Sequence, residues 1–156
     1  MSHSQRLASL ALELPPVPTP VAHYVPARIH EGLVYSAGQL PFVDGDLLAS
    51  GLVGESGSVT VEKAHECAKI AALNAIAAVS SEAGGIDYIE KIVRITGYVA
   101  AASDFQGHAE VLNGASAIVG DIFGDAGLHA RTAVGVSSLP LGAPVEIEMI
   151  AAVREN

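Results

Sequence analysis

The sequence predicts an α+β protein with a single mixed β-sheet, two long helices on one face and a short helical arm at the N-terminus. Three observations carry this. Apolar segments follow one another as strand, strand, short strand, helix, strand, helix, strand, strand, and strands interleaved with helices imply parallel neighbours joined by right-handed crossovers. Two stretches, residues 60–83 and 104–123, have the length and periodicity of helices that each need a sheet to cover. The chain has 156 residues, half of them hydrophobic and only 16% charged. That suits one domain with a real core and excludes a disordered chain.

Residues 4–12 read as a short helix, with Leu7, Leu10 and Ala11 recurring at three- and four-residue steps. The run Leu14-Pro15-Pro16-Val17-Pro18-Thr19-Pro20 forbids regular helix and favours extended chain. Residues 1–23 are therefore an arm that packs on a domain spanning 24–156. Residues 24–29 read as a strand, with Pro26 pointing to an edge position or a bulge. Glu31-Gly32 is a tight turn, and residues 33–38 return as the second strand. Gly38 permits close backbone approach by a ligand or by another chain, or simply ends the strand. Asp44-Gly45-Asp46 is another turn before a short strand at Leu47-Leu48.

Thr60 can cap the first long helix, with Glu62 favourably placed in its first turn and Gly84-Gly85 ending it. Its small-residue stripe (Ala64, Cys67, Ala68, Ala71, Ala75, Ala78) allows close packing on a sheet. Residues 92–100 read as a strand with Val93, Ile95 and Val99 on one face and Arg94, Thr96 and Tyr98 on the other. Ser103 and Gln106 have capping-box spacing for the second helix. Two closing strands follow, separated by Pro140-Leu141-Gly142-Ala143-Pro144. Helices on one face leave the other face of the sheet bare. That face includes apolar side chains, which argues for an oligomer built sheet against sheet.

The last quarter holds the candidate chemistry. Arg131 opens one apolar strand, and Glu146 and Glu148 share one face of the other by period two. Arginine offers a planar fork of donors that fits a carboxylate, and a glutamate can take up or give a proton. The pair suggests a site that grips a small acid while a glutamate acts beside it. The same residues also read as a surface charge and a solvated strand face. If the closing strands were hairpin partners, Arg131 and Glu146 would stand roughly 20 Å apart, too far to share one small ligand. Either the strands are not neighbours or the two residues meet across a subunit boundary.

Other classes are disfavoured. A net charge of −9, with eight Lys and Arg scattered along the chain, does not make a nucleic-acid surface. Cys67 is alone, so no intramolecular disulfide forms and no cysteine-based metal site is suggested. The six histidines show no pairing for metal binding or ribonuclease chemistry. His129 is close enough to Arg131 to reach a site there but is read as structural or solvent-facing. No secretory signal or membrane span is visible, so a cytoplasmic protein is expected.

Four stretches read together resemble the YjgF/RidA family of reactive-intermediate deaminases. They are Tyr24 with Tyr35-Ser36-Ala37-Gly38-Gln39-Leu40-Pro41; the alanine-rich helix ending Glu82-Ala83-Gly84; Val93-Arg94-Ile95-Thr96-Gly97-Tyr98-Val99 with Asp104-Phe105; and Ala130-Arg131-Thr132-Ala133-Val134 with Leu139-Pro140 and Val145-Glu146-Ile147-Glu148. The resemblance implies a chorismate-mutase-like fold and a homotrimer with clefts between subunits. It implies hydrolysis of enamines and imines such as 2-aminoacrylate to 2-keto acids and ammonia, with no metal or organic cofactor. Arg131 matches the arginine that grips the substrate carboxylate, and Glu146 the glutamate that positions or activates water. Tyr24, Gly38 and Asn113 match residues lining the cleft, Asn113 at a spacing one residue longer than the family's. Ala133 and Ala37 stand where many members have cysteine and serine, and the chain looks like a longer, divergent branch. A non-catalytic module that senses a small carboxylate is the alternative reading, and an endoribonuclease or translation inhibitor a third.

Overall fold

The computed structural model of the chain describes residues 1–154. Its elements are α1 (His3–Ser9), β1 (Ala27–His30), β2 (Leu33–Ser36), β3 (Phe42–Val43), β4 (Asp46–Leu47), α2 (Val61–Ala83), β5 (Ile89–Ala100), α3 (His108–Phe123), β6 (Ala130–Val136) and β7 (Val145–Val153). Single 3-10 turns occur at Ile86–Tyr88, Gly124–Gly127 and Pro140–Gly142. The main sheet has the order β1-β2-β7-β5-β6. β5 runs parallel to β6 and antiparallel to β7. The sheet is thus mixed, and α3 is the crossover that makes its one parallel pair. The closing strands are not neighbours, because β5 lies between them.

Side-chain period two divides β7 cleanly. Val145, Ile147, Met149, Ala151 and Val153 are buried, while Glu146, Glu148, Ile150 and Ala152 are half-buried on the other face. The inner face packs under α2 and α3 in one continuous core. Thr60 caps α2 by accepting from the Lys63 amide at 3.2 Å, and Gly84 ends it in the left-handed conformation at φ 85°. Alanines dominate α2 because the layers are close. A Cβ at Gly97 would collide with the Leu112 side chain and one at Gly114 with the His65 carbonyl, so Leu112 seats directly on β5 and the two helices meet almost backbone to backbone.

Several elements depart from the expectation. α1 is shorter than residues 4–12, and Ser2 and Gln5 cap it reciprocally. β1 begins at Ala27, after Pro26, which cannot donate to a ladder. Tyr24 therefore precedes the sheet and is exposed. The short third strand is a hairpin, β3–β4, turning on Asp44 and Gly45, both at positive φ. α3 starts at His108, not at 104, because the Phe105 amide closes a turn onto Ala102. The Ser103–Gln106 capping box does not form, and Gly107 precedes the helix without a side-chain cap. In β5, register shifts against β7 after Ile89 and Ile92 turn Val93 outward; Ile92, Ile95 and Val99 face the core.

The arm is fastened at its start. Leu7 is buried, the His3 ring lies tilted against Phe123 with centroids 4.7 Å apart, and the Ser4 hydroxyl and amide donate to the Asp87 carboxylate at 2.6 and 2.9 Å. Those hydrogen bonds hold the Asp87 carboxyl below its ordinary pKa. Among the described residues, no helix is long and apolar enough to cross a membrane.

Candidate functional site

Arg131 stands on β6 level with Ile95 and, beyond it, Met149, both core residues. Its side chain therefore leaves the sheet on the helix face and meets α3. There Nη1 donates to Asn113 Oδ1 at 2.9 Å and to Ser116 Oγ at 3.1 Å, and Nη2 donates to the Ala109 carbonyl at 3.4 Å. The three acceptors are four and three residues apart, so they form one stripe along the helix. Among the described residues Nε has no partner, nor has the second hydrogen of Nη2. Ser116 also lies 3.0 Å from His129 Nε2, and His129 Nδ1 lies 2.6 Å from the Gly127 carbonyl. A recess of about 320 Å³ opens beside Arg131, Ser116 and His129, with Gly120, Gly127 and Leu128 completing its walls.

Glu146 belongs to the opposite face. It stands level with Tyr98 on the side not covered by helices. Its other neighbour is Gly38, placed there by an irregularity in β2. From the Tyr35–Ile150 pair to the Gln39–Ile147 bridge, β2 and its extension advance four residues while β7 advances three. The extra residue is a bulge, closed by Gln39 and Ile147 exchanging both backbone hydrogen bonds. It lays the backbone of Gly38 against the Glu146 carboxyl, where any Cβ would collide with Oε1. Within the protomer, then, it is the Glu146 side chain that approaches the Gly38 backbone closely. Burial, and secondarily the charge of Glu148, raises the Glu146 pKa above the ordinary carboxylate value. Glu148 is engaged differently, since the Tyr98 hydroxyl donates to it at 3.0 Å.

The fold brings Arg131 together with Asn113, and Glu146 together with Gly38. It does not bring the two pairs together within one protomer. Glu146 is three residues along and two strands across from Arg131, roughly 14 Å by strand geometry, and points to the other face. The Ser116–His129 pair was missed in the sequence, although the signals were present. His129 shares strand parity with Arg131, and Ser116 is one helical step from Asn113. Cys67 is fully buried and burial pushes its thiol up to about 11, which makes it a packing residue. A second recess, about 710 Å³, lies between the proline-rich arm, the β3–β4 hairpin and α2, and reaches Gln39 next to Gly38. No group of three or more His, Cys, Asp or Glu among the described residues could hold a metal ion.

A five-stranded mixed sheet in this order, with both long helices on one face, defines a chorismate-mutase-like protein. The family model described as "YjgF/chorismate_mutase-like, putative endoribonuclease" matches residues 4–153, and the chain belongs to that family. Protein TCP17 of Trypanosoma cruzi is 32% identical over 145 residues, which span 92% of this chain and 89% of that one. The crystal structure of Atu1372 from Agrobacterium tumefaciens, a protein of unknown function, is 36% identical, with a TM-score of 0.88 over 99% of this chain and 94% of the other. That of a "putative endoribonuclease" from Shewanella oneidensis is 30% identical, with a TM-score of 0.92 over 98% and 100%.

Proposed function

We propose that the protein hydrolyses reactive enamine and imine intermediates of the 2-aminoacrylate kind to 2-keto acids and ammonia. It does so as a cytoplasmic homotrimer without a cofactor. The observation that carries this reading is the Arg131 cluster: a guanidinium held by three acceptors from α3, with Nε and one Nη2 hydrogen left for a ligand. Those two donors match the spacing of a carboxylate. A carboxylate so fixed places the adjacent C=N carbon at a defined point. Glu146, ionised, takes a proton from water as the water oxygen adds to that carbon. The same proton goes to the nitrogen. The hydroxyl proton of the carbinolamine then passes to the amine as it leaves, giving the keto acid and ammonia. An enamine first moves a proton from nitrogen to its methylene carbon to become the imine. Because Arg131 and Glu146 leave opposite faces of the sheet, the cleft combines Arg131 and Asn113 of one subunit with Glu146 and Gly38 of its neighbour. Tyr24, exposed ahead of β1, is free to line it.

The test is turnover of an imine generated in the assay from a 2-amino acid. Arg131→Ala should lower kcat/KM roughly ten- to hundredfold while the circular dichroism spectrum is kept, which corresponds to about 1.5–3 kcal/mol for a charged hydrogen bond. Arg131→Lys should also be poor, since a point charge cannot reproduce the fork. Wild-type rates in Arg131→Ala would overturn the assignment. Carboxylate binding without any turnover would favour a sensing module instead. The charge of −9 disfavours RNA as the substrate.

A further inference from the structure

We propose that Ser116 and His129 are positioning residues for the carboxylate grip, setting which edge of the Arg131 guanidinium faces the ligand. The proposal rests on the deaminase reading only for its kinetic arm. The hydrogen bonds have one consistent direction. Arginine is donor-only, so Ser116 Oγ accepts from Nη1 at 3.1 Å. The Gly127 carbonyl can only accept, so His129 Nδ1 carries its proton there, at 2.6 Å. In the neutral ring Nε2 is then the acceptor, and the Ser116 hydroxyl donates to it at 3.0 Å. The chain runs Arg131, Ser116, His129, Gly127, from the edge strand to the 3-10 turn after α3.

Its effect on Arg131 is specific. Nη1 has two hydrogens, and Asn113 and Ser116 take both. The end of the guanidinium formed by Nη1 and Nη2 is therefore closed to a carboxylate. The edge formed by Nε and Nη2 remains, and a bound carboxylate must dock along it. Asn113 and the Ala109 carbonyl, the latter at a long 3.4 Å, take one hydrogen each from Nη1 and Nη2 and leave the second Nη1 hydrogen without a partner. Ser116 takes that hydrogen and supplies a third point at 3.1 Å, and His129 keeps the Ser116 hydroxyl turned so that a lone pair meets Nη1.

The test measures pyruvate binding by calorimetry alongside imine turnover. Ser116→Ala and His129→Phe should each weaken pyruvate binding and raise KM roughly three- to tenfold, less than the loss of a direct charged hydrogen bond because both act through Arg131, with kcat nearly unchanged. Ser116→Thr, which keeps the hydroxyl, should restore most of the affinity. Neither Ser116→Ala nor His129→Phe should weaken binding further in an Arg131→Ala background. A merely structural role would instead lower the melting temperature without separating KM from kcat. If Arg131→Ala weakens binding while Ser116→Ala and His129→Phe bind as wild type, the positioning role is overturned and the carboxylate grip stands. If Arg131→Ala itself binds and turns over normally, the functional reading fails as well. If Ser116→Ala does not fold, His129→Phe and Ser116→Thr decide the matter by the same measurements.

Discussion

Two glutamates two residues apart on one strand have been given different work by their neighbours. Glu148 accepts from the Tyr98 hydroxyl, whereas Glu146 sits half-buried against a glycine, with burial and the Glu148 charge raising its pKa. A raised carboxyl pKa means that the fold favours the protonated form. The resulting stability is fully present below the unfolded-state pKa and is lost as pH rises through the higher folded-state value. Ionised Glu146 therefore weakens the fold at neutral pH. Glu146→Gln should raise the melting temperature at pH 7, by an amount that shrinks towards acid pH, and should remove imine turnover while pyruvate still binds. If Glu146 is the base, kcat/KM of the wild type should climb with pH through a midpoint above the usual carboxylate range. Removing the neighbouring charge in Glu148→Gln should move that limb to lower pH and leave substantial activity. A limb that stays in place in Glu148→Gln, or an inactive Glu148→Gln beside an active Glu146→Gln, would assign the role to the wrong residue.

At the level of elements, what could be read in advance was what local chemistry alone decides. The bounds of α2 followed from Thr60 and Gly84 because a cap and a left-handed glycine act within one turn. The bare sheet face followed from counting helices against strands. The β2 bulge and the β5 register shifts were hidden, since both depend on partner strands distant in sequence. The failed capping box at Ser103 and Gln106 shows a local signal overridden by a competing turn at Ala102–Phe105. Of the site, Arg131 and Glu146 stood out by residue type, but their opposite faces required the position of β5 between β6 and β7. The contact of α2 with α3 is equally non-local. At Gly114 a Cβ would strike the His65 carbonyl, a backbone atom that cannot swing away. Gly114→Ala should therefore destabilise by about 1–3 kcal/mol from overpacking, reduced by about 1 kcal/mol of gained helix propensity. Urea unfolding should report a lower midpoint at unchanged slope. A midpoint at or above wild type would mean that the helices separate freely.

For the molecule as a whole, the uncovered face is the feature to account for. Tyr35 and Val134 are 42% and 39% exposed on it, with Ile150 and Ala152 half-buried between them. Such a face is rarely left to water, and the resemblance implies three copies around it. Light scattering at micromolar concentration should give three times the 15.9 kDa of one chain; a monomer would remove both the trimer and the shared cleft. The order of strands also constrains how the chain comes together in time. β7 is made after the other four strands of the main sheet and is the central one, flanked by β2 and β5. Until it emerges from the ribosome, the β1–β2 hairpin and the β5–α3–β6 unit share α2 but no common strand, and each carries an unpaired edge. Its arrival is thus a closing step that joins two halves made well apart. That interval is when the nascent chain is most open to wrong pairing.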